Sequence, residues 1–126
     1  MRASVTKSDF LEFETNKIKQ PYDLMLLGMG EDAHFASLFP SMINSNIEYF
    51  KIDSKPEIIY TQPMGSPLHE RISMNLAMIL NSKSIILLVS NSKKSDLVTE
   101  ARTNKDLPLY YLLNQKLVDV EILKTY

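Results

Sequence analysis

The sequence predicts a single α/β domain with a mostly parallel sheet flanked by helices. Three observations predict it: short apolar runs that stop at glycine or polar loops, helical spacing between them, and the unbroken run SIILLV at Ser84–Val89. Consecutive apolar residues fit a strand covered on both faces.

Ser8 and Asp9 precede Phe10, Phe13, Lys17 and Ile18 at helical spacing, with acidic residues early and lysines late, as the helix dipole favours. This reads as a helix covering a sheet, ended by Gln20 and Pro21. The run YDLMLL, Tyr22 to Leu27, then reads as a buried strand that stops at Gly28. Ala33 to Phe39 reads as a short helix before Pro40. Ile47 to Ile52 reads as a strand, and EIIYT, beyond Pro56, as another. Pro63, Gly65 and Pro67 mark a loop. Arg71 to Met74 is expected to be extended and Leu76 to Leu80 helical. Ser92 to Thr103 should form a helix with Leu97, Val98 and Ala101 inward, and Leu117 to Leu123 a final strand. The Met74 and Met78 pair, at helical spacing, reads as core packing.

With 126 residues, 44% hydrophobic and 23% charged, the chain fits one domain able to bury a core. Fourteen basic against fifteen acidic residues leave a net charge of −1, which gives no global attraction to nucleic acid or an anionic membrane. Any anion site must be local. The absence of cysteine excludes disulfides, thiolate nucleophiles and cysteine-based zinc sites. The two histidines, His34 and His69, are not paired at metal-ligand spacing, so no metal site is expected. The start, MRASVTKSDF, lacks the apolar core of a secretory signal. No later run approaches the roughly eighteen apolar residues of a membrane span. A cytoplasmic location is therefore expected.

The chemistry concentrates in the loop GMGEDAHFASLFP, Gly28 to Pro40. Gly28 and Gly30 follow directly on a predicted strand, where backbone amides can approach a ligand. Ligands of open α/β sheets bind at that end of the strands. Asp32 and His34 alternate in the same turn, and a carboxylate beside an imidazole fixes its tautomer and raises its basicity. Gly28, Gly30 and Ala33 also satisfy G-x-G-x-x-A, with Asp53 about twenty residues on, the pattern of a dinucleotide site. Pro40, however, interrupts the helix that such a site requires. Spacing alone equally permits a plain turn with a surface histidine.

The longer string DLMLLGMGEDAHFASLFP resembles the 6-phosphogluconolactonase signature DLxLLGMGxDGHTASLFP. Ala33 stands in place of the signature's glycine and Phe35 in place of its threonine. Downstream, SPLHERISMNLAMILN is similar to the family's PPxxRITLTxxxLN, with Arg71, Ile72, Ser73 and Asn81 matching. SIILLVSNSKK is similar to its next strand and loop, with Lys94 at the lysine position and Asn91 in place of a glycine. The resemblance covers about Tyr22 to Leu113. It implies a three-layer, Rossmann-like sheet and hydrolysis of 6-phospho-D-glucono-1,5-lactone to 6-phosphogluconate, without metal or organic cofactor. His34 would be the base, Asp32 its orienting partner, and Arg71 and Lys94 the phosphate ligands. The Gly28 and Gly30 amides would bind the anion or oxyanion.

The resemblance further implies that residues 1–126 form the carboxyl-terminal part of a longer lactonase domain, lacking the amino-terminal strands and an SGGSTP-like loop. The sheet edge so exposed would favour self-association. Glucosamine-6-phosphate deaminases or isomerases share a D-G-H loop but continue I-A-F-N-E-P, and that glutamate is absent here. A catalytically inactive sugar-phosphate-binding fragment is the reading from a different class.

Overall fold

The computed structural model describes residues 19–126. The helix expected over Ser8 to Ile18 lies outside them. Strand β1 (Met25–Leu27) pairs in parallel with β4 (Ile85–Val89), which pairs in parallel with β5 (Val120–Lys124). The sheet order is β1-β4-β5. Strands β2 (Ile58–Tyr60) and β3 (Ile72–Met74) form a separate antiparallel pair. The helices are α1 (Met42–Ser45), α2 (Leu76–Leu80), α3 (Ser92–Ala101) and α4 (Leu109–Leu113), with a 3₁₀ turn at Ile47–Phe50. This is the expected α/β class, with a parallel sheet flanked by helices.

Register explains which side of the sheet is buried. Met25, Ile85 and Val120 lie in one row and Leu27, Leu87 and Ile122 in the next, all on the same face. That face meets Val98 and Ala101 of α3 and Leu109 and Leu112 of α4 in the core. The opposite face carries Leu26 and Leu123, which are 57% and 45% exposed. Among the described residues, then, β4 is fully covered on one face, not on both as its apolar run suggested. A run of apolar residues reports burial potential, and the elements that satisfy it come from elsewhere in the chain.

Two expected elements take other forms. Ile47 to Ile52 is not a strand: Ile47–Phe50 is a 3₁₀ turn that buries Phe50 against Tyr111, ring centroids 5.2 Å apart. The β-branched and aromatic composition suggested extension, but a single aromatic anchor decides. Ala33 to Phe39 is not a helix, for reasons taken up below. Helix α4 had no counterpart among the predicted elements.

Asn75 staples the β2–β3 pair to α2. Its side-chain oxygen accepts from the amides of Met78, capping the helix at 2.9 Å, and of Glu57 at 3.1 Å, while its Nδ2 donates to the Lys55 carbonyl at 2.9 Å. At 2% exposure, these partners satisfy a side chain that burial would otherwise penalise. Met78 is fully buried, as expected for packing. Burial raises the phenols of Tyr22, Tyr49 and Tyr111 above their ordinary 10.0. Glu48 and Glu57 add to the effect at Tyr49, as do Tyr110 and Asp106 at Tyr111. No helix among the described residues is long and apolar enough to cross a membrane.

Candidate active site

The loop after β1 is built as two successive turns. The Ala33 amide donates to the Gly30 carbonyl at 3.1 Å and the Gly30 amide to the His34 carbonyl at 3.0 Å. A second turn follows, with the Leu38 amide donating to the Phe35 carbonyl at 3.0 Å. Ala33 and Ala36 adopt φ of 65° and 50°, left-handed values that no α-helix tolerates. Each costs about 1–2 kcal/mol for a residue with a Cβ. Phe35 and Leu38 are fully buried and Phe39 nearly so. Their burial contributes about 1.5–3 kcal/mol each and outweighs the backbone strain. The Ser37 amide ties the loop to β3 by donating to Ser73 Oγ at 3.0 Å.

These turns bring Asp32 and His34 together. Asp32 Oδ1 accepts from the His34 amide at 3.1 Å and makes a short contact with His34 Nδ1. The imidazole is 30% exposed and the carboxylate 49%. The shared oxygen anchors the ring at Nδ1. With a proton held on Nδ1 toward the carboxylate, Nε2 becomes the basic nitrogen.

The two loop glycines differ in kind. A Cβ on Gly28 would meet nothing within 4 Å, whereas one on Gly30 would lie 2.1 Å from His34 Cε1 and 2.3 Å from Nδ1. Gly30 is required because the imidazole lies against its bare Cα. Its amide, expected to face a ligand, instead closes the turn onto His34, since the loop's own backbone needs that donor. Its place in the site is therefore steric.

Arg71, just before β3, joins the same cluster through Phe39. The His34 and Phe39 ring centroids are 4.5 Å apart, and Arg71 Cζ sits 5.8 Å from the Phe39 centroid. Arg71 Nε donates to the Met64 carbonyl at 3.1 Å and Nη2 to the Pro67 carbonyl at 2.6 Å. The guanidinium fork is thus partly engaged in shaping the 64–67 loop, and Nη1 keeps donors with no partner among the described residues. The Phe39–Arg71 contact was not legible in the motif, because the two residues lie about thirty positions apart.

Lys94 lies in the first turn of α3, at the carboxyl end of β4 and so beside the loop that leaves β1. Asn91 caps that helix, its Oδ1 accepting from the Lys94 amide at 2.8 Å. Asn91 is extended, with φ −159°, a conformation open to any residue, so the loss of the family's glycine strains nothing here. The contact from α3 to the loop after β1 runs through the neighbour, Lys93 Nζ lying 4.0 Å from Glu31 Oε2, with both groups well exposed. His69 is exposed on the loop before Arg71. Among the described residues no group of three or more His, Cys, Asp or Glu is placed to hold a metal ion.

A histidine and a carboxylate lie in a tight turn at the carboxyl end of a parallel strand, the end at which open α/β sheets bind ligands. Comparison with known proteins narrows the class. Residues 4–120 match the family described as glucosamine-6-phosphate isomerases/6-phosphogluconolactonase, and the chain belongs to that family. It is 32% identical over 118 residues to the 6-phosphogluconolactonase of Helicobacter pylori strain J99, covering 91% of this chain and 49% of that one. It is 29% identical over 116 residues to the enzyme of that name from Neisseria meningitidis serogroup A, covering 89% and 48%. The crystal structure of a putative 6-phosphogluconolactonase from Neisseria gonorrhoeae superimposes with a TM-score of 0.75 at 27% identity, covering 90% of this chain and 48% of that one. That of the Thermotoga maritima 6-phosphogluconolactonase gives 0.68 at 26% identity, with the same coverage of 90% and 48%. The chain spans about half the length of the curated relatives it matches.

Proposed function

We propose that this chain provides the catalytic loop for hydrolysis of 6-phospho-D-glucono-1,5-lactone to 6-phosphogluconate, in the oxidative pentose phosphate pathway. The observation that supports it most is Asp32 Oδ1 placed on both the amide and Nδ1 of His34, which leaves Nε2 as the basic nitrogen. In this reading Nε2 removes a proton from water as the water oxygen bonds to the lactone carbonyl carbon. The bond from that carbon to the ring oxygen then breaks, and the imidazolium returns the proton to the departing oxygen. Water is added across one ester bond and nothing is oxidised or reduced.

Asp32 would hold the tautomer and stabilise the transient imidazolium. Arg71, through its remaining donors, and Lys94, as a point charge, would bind the substrate phosphate. The Gly28 amide would donate to the developing oxyanion. The substrate is a small sugar-phosphate lactone, and a cytoplasmic site of action suits it. The lactonase names of the relatives favour this reading over an isomerase.

The test is lactone hydrolysis by the parent chain and by His34→Ala, corrected for spontaneous opening, alongside 6-phosphogluconate binding. The expected result is a rate loss of about 100- to 10,000-fold on removal of the base. Equal rates for parent and variant would defeat the base assignment, and binding without turnover would leave a sugar-phosphate-binding fragment.

A further inference from the structure

We infer that Phe39 is a positioning residue that couples the base to the cationic side of the site: one aromatic ring sets the place of both the His34 imidazole and the Arg71 guanidinium. The ring is 6% exposed, with the imidazole centroid at 4.5 Å, tilted by 37°, and Arg71 Cζ at 5.8 Å. An aromatic face attracts a guanidinium and an adjacent ring more strongly than an aliphatic side chain of similar bulk.

The surroundings allow this ring little movement. Its backbone amide lies 3.4 Å from Met42 Sδ, and the neighbouring Leu38 is fully buried. At the ring's far end, Gly65 has φ +83°, and a Cβ there would lie 3.0 Å from Phe39 Cζ and 2.9 Å from Arg71 Nη2. Gly65 therefore lets the 64–67 backbone close over ring and guanidinium together. Arg71 in turn anchors that segment through the carbonyls of Met64 and Pro67. On the other side, the imidazole is confined between Phe39 and the bare Cα of Gly30. Asp32 pins one nitrogen, but a single hydrogen bond leaves the ring free to swing about it, and Phe39 blocks that swing. A displacement of Phe39 would thus be felt at the base and at Arg71 at once, although the two are thirty-seven positions apart in sequence.

As a statement about catalysis this rests on the reading of His34 as base, so the deciding measurement needs no turnover. The His34 ring nitrogens and the Arg71 Nε–H are followed by ¹⁵N NMR in the parent and in Phe39→Leu, with exposed His69 as internal reference. In the parent, His34 is expected as one tautomer, protonated on Nδ1, with Arg71 Nε–H exchanging slowly. In Phe39→Leu the His34 nitrogen shifts should move away from their single-tautomer values, and Arg71 Nε–H exchange should rise about fivefold. A folded Phe39→Leu that leaves either the His34 tautomer or the Arg71 exchange unchanged overturns the coupling. If Phe39→Leu does not fold, Gly65→Ala decides, because it presses on the same ring from the surface loop. The paired change there supports the coupling, and an unmoved His34 overturns it. A parent chain that fails to hydrolyse the lactone yet shows the paired change refutes the functional reading alone.

Discussion

The loops that leave β1 and β4 emerge from neighbouring parallel strands at the same end of the sheet, yet they are built in opposite ways. The first folds into two turns with left-handed alanines and is pinned by three buried apolar side chains. The second passes directly from an extended Asn91 into a capped helix. Each has a non-glycine residue where the family signature has glycine. In the first loop the replacement, Ala33, sits at a positive φ and is strained; in the second, Asn91 supplies a cap and is not. The same kind of substitution therefore has opposite consequences, set by what the backbone must do at that position.

The largest expected effect tests whether the first loop is organised around the imidazole. If His34 is the base as proposed, Gly30→Ala should lower lactone hydrolysis by about 100-fold, because displacing a catalytic group by about 1 Å has that scale of effect. Gly28→Ala, with open space around its Cβ, should stay within about twofold of the parent. Equal losses from the two would mean that the loop is sensitive as a whole, not at the ring.

Stability measurements sharpen the contrast between the loops. Asn91→Ala should lose about 1 kcal/mol in denaturant unfolding through loss of the cap. Ala33→Gly should gain up to about 1 kcal/mol, since relief of the left-handed strain exceeds the added entropy of the unfolded chain. Loss of stability at Ala33→Gly would show that its methyl group, fully buried, contributes more by packing than the backbone loses by strain.

The smallest effect near neutral pH comes from outside both loops. Tyr22, Tyr49 and Tyr111 have phenols raised above 10.0 in the folded chain. A raised folded value means that their contribution is fully present below pH 10.0 and is lost as pH rises through the folded values. Unfolding free energy should therefore decline above about pH 10, with the same slope in the parent, Asn91→Ala and Ala33→Gly. A slope altered by either substitution would tie the tyrosines to the loops.

Elements whose signal is local were legible in the sequence. The runs that became β1, β2 and β4, the capped helix α3 and the helix α2 all follow from short-range pattern and cap chemistry. The final strand was expected from Leu117 and begins at Val120, since Gln115 holds residues 117 and 118 in a turn through its side chain. Helix α4 escaped because five residues after a proline are too short to establish a period. In the site, Asp32 and His34 were legible because the partners are two residues apart and their spacing alone can bring them into contact. Asn75 was not legible as a staple, because two of its partners, Lys55 and Glu57, lie about twenty residues earlier.

The sequence by itself determined the α/β class, the family signature and the pairing of carboxylate with imidazole, all of which are carried by local pattern along the chain. Only the tertiary structure decided that Ala33 to Phe39 abandons a helix for two turns, that the Gly30 amide closes the loop, and that the Phe39 ring lies near both His34 and Arg71. Those outcomes rest on contacts with distant parts of the chain, among them the Ser37 amide on Ser73 Oγ and the packing of Phe35 and Leu38 in a core formed by distant strands and helices, which offset the left-handed alanines.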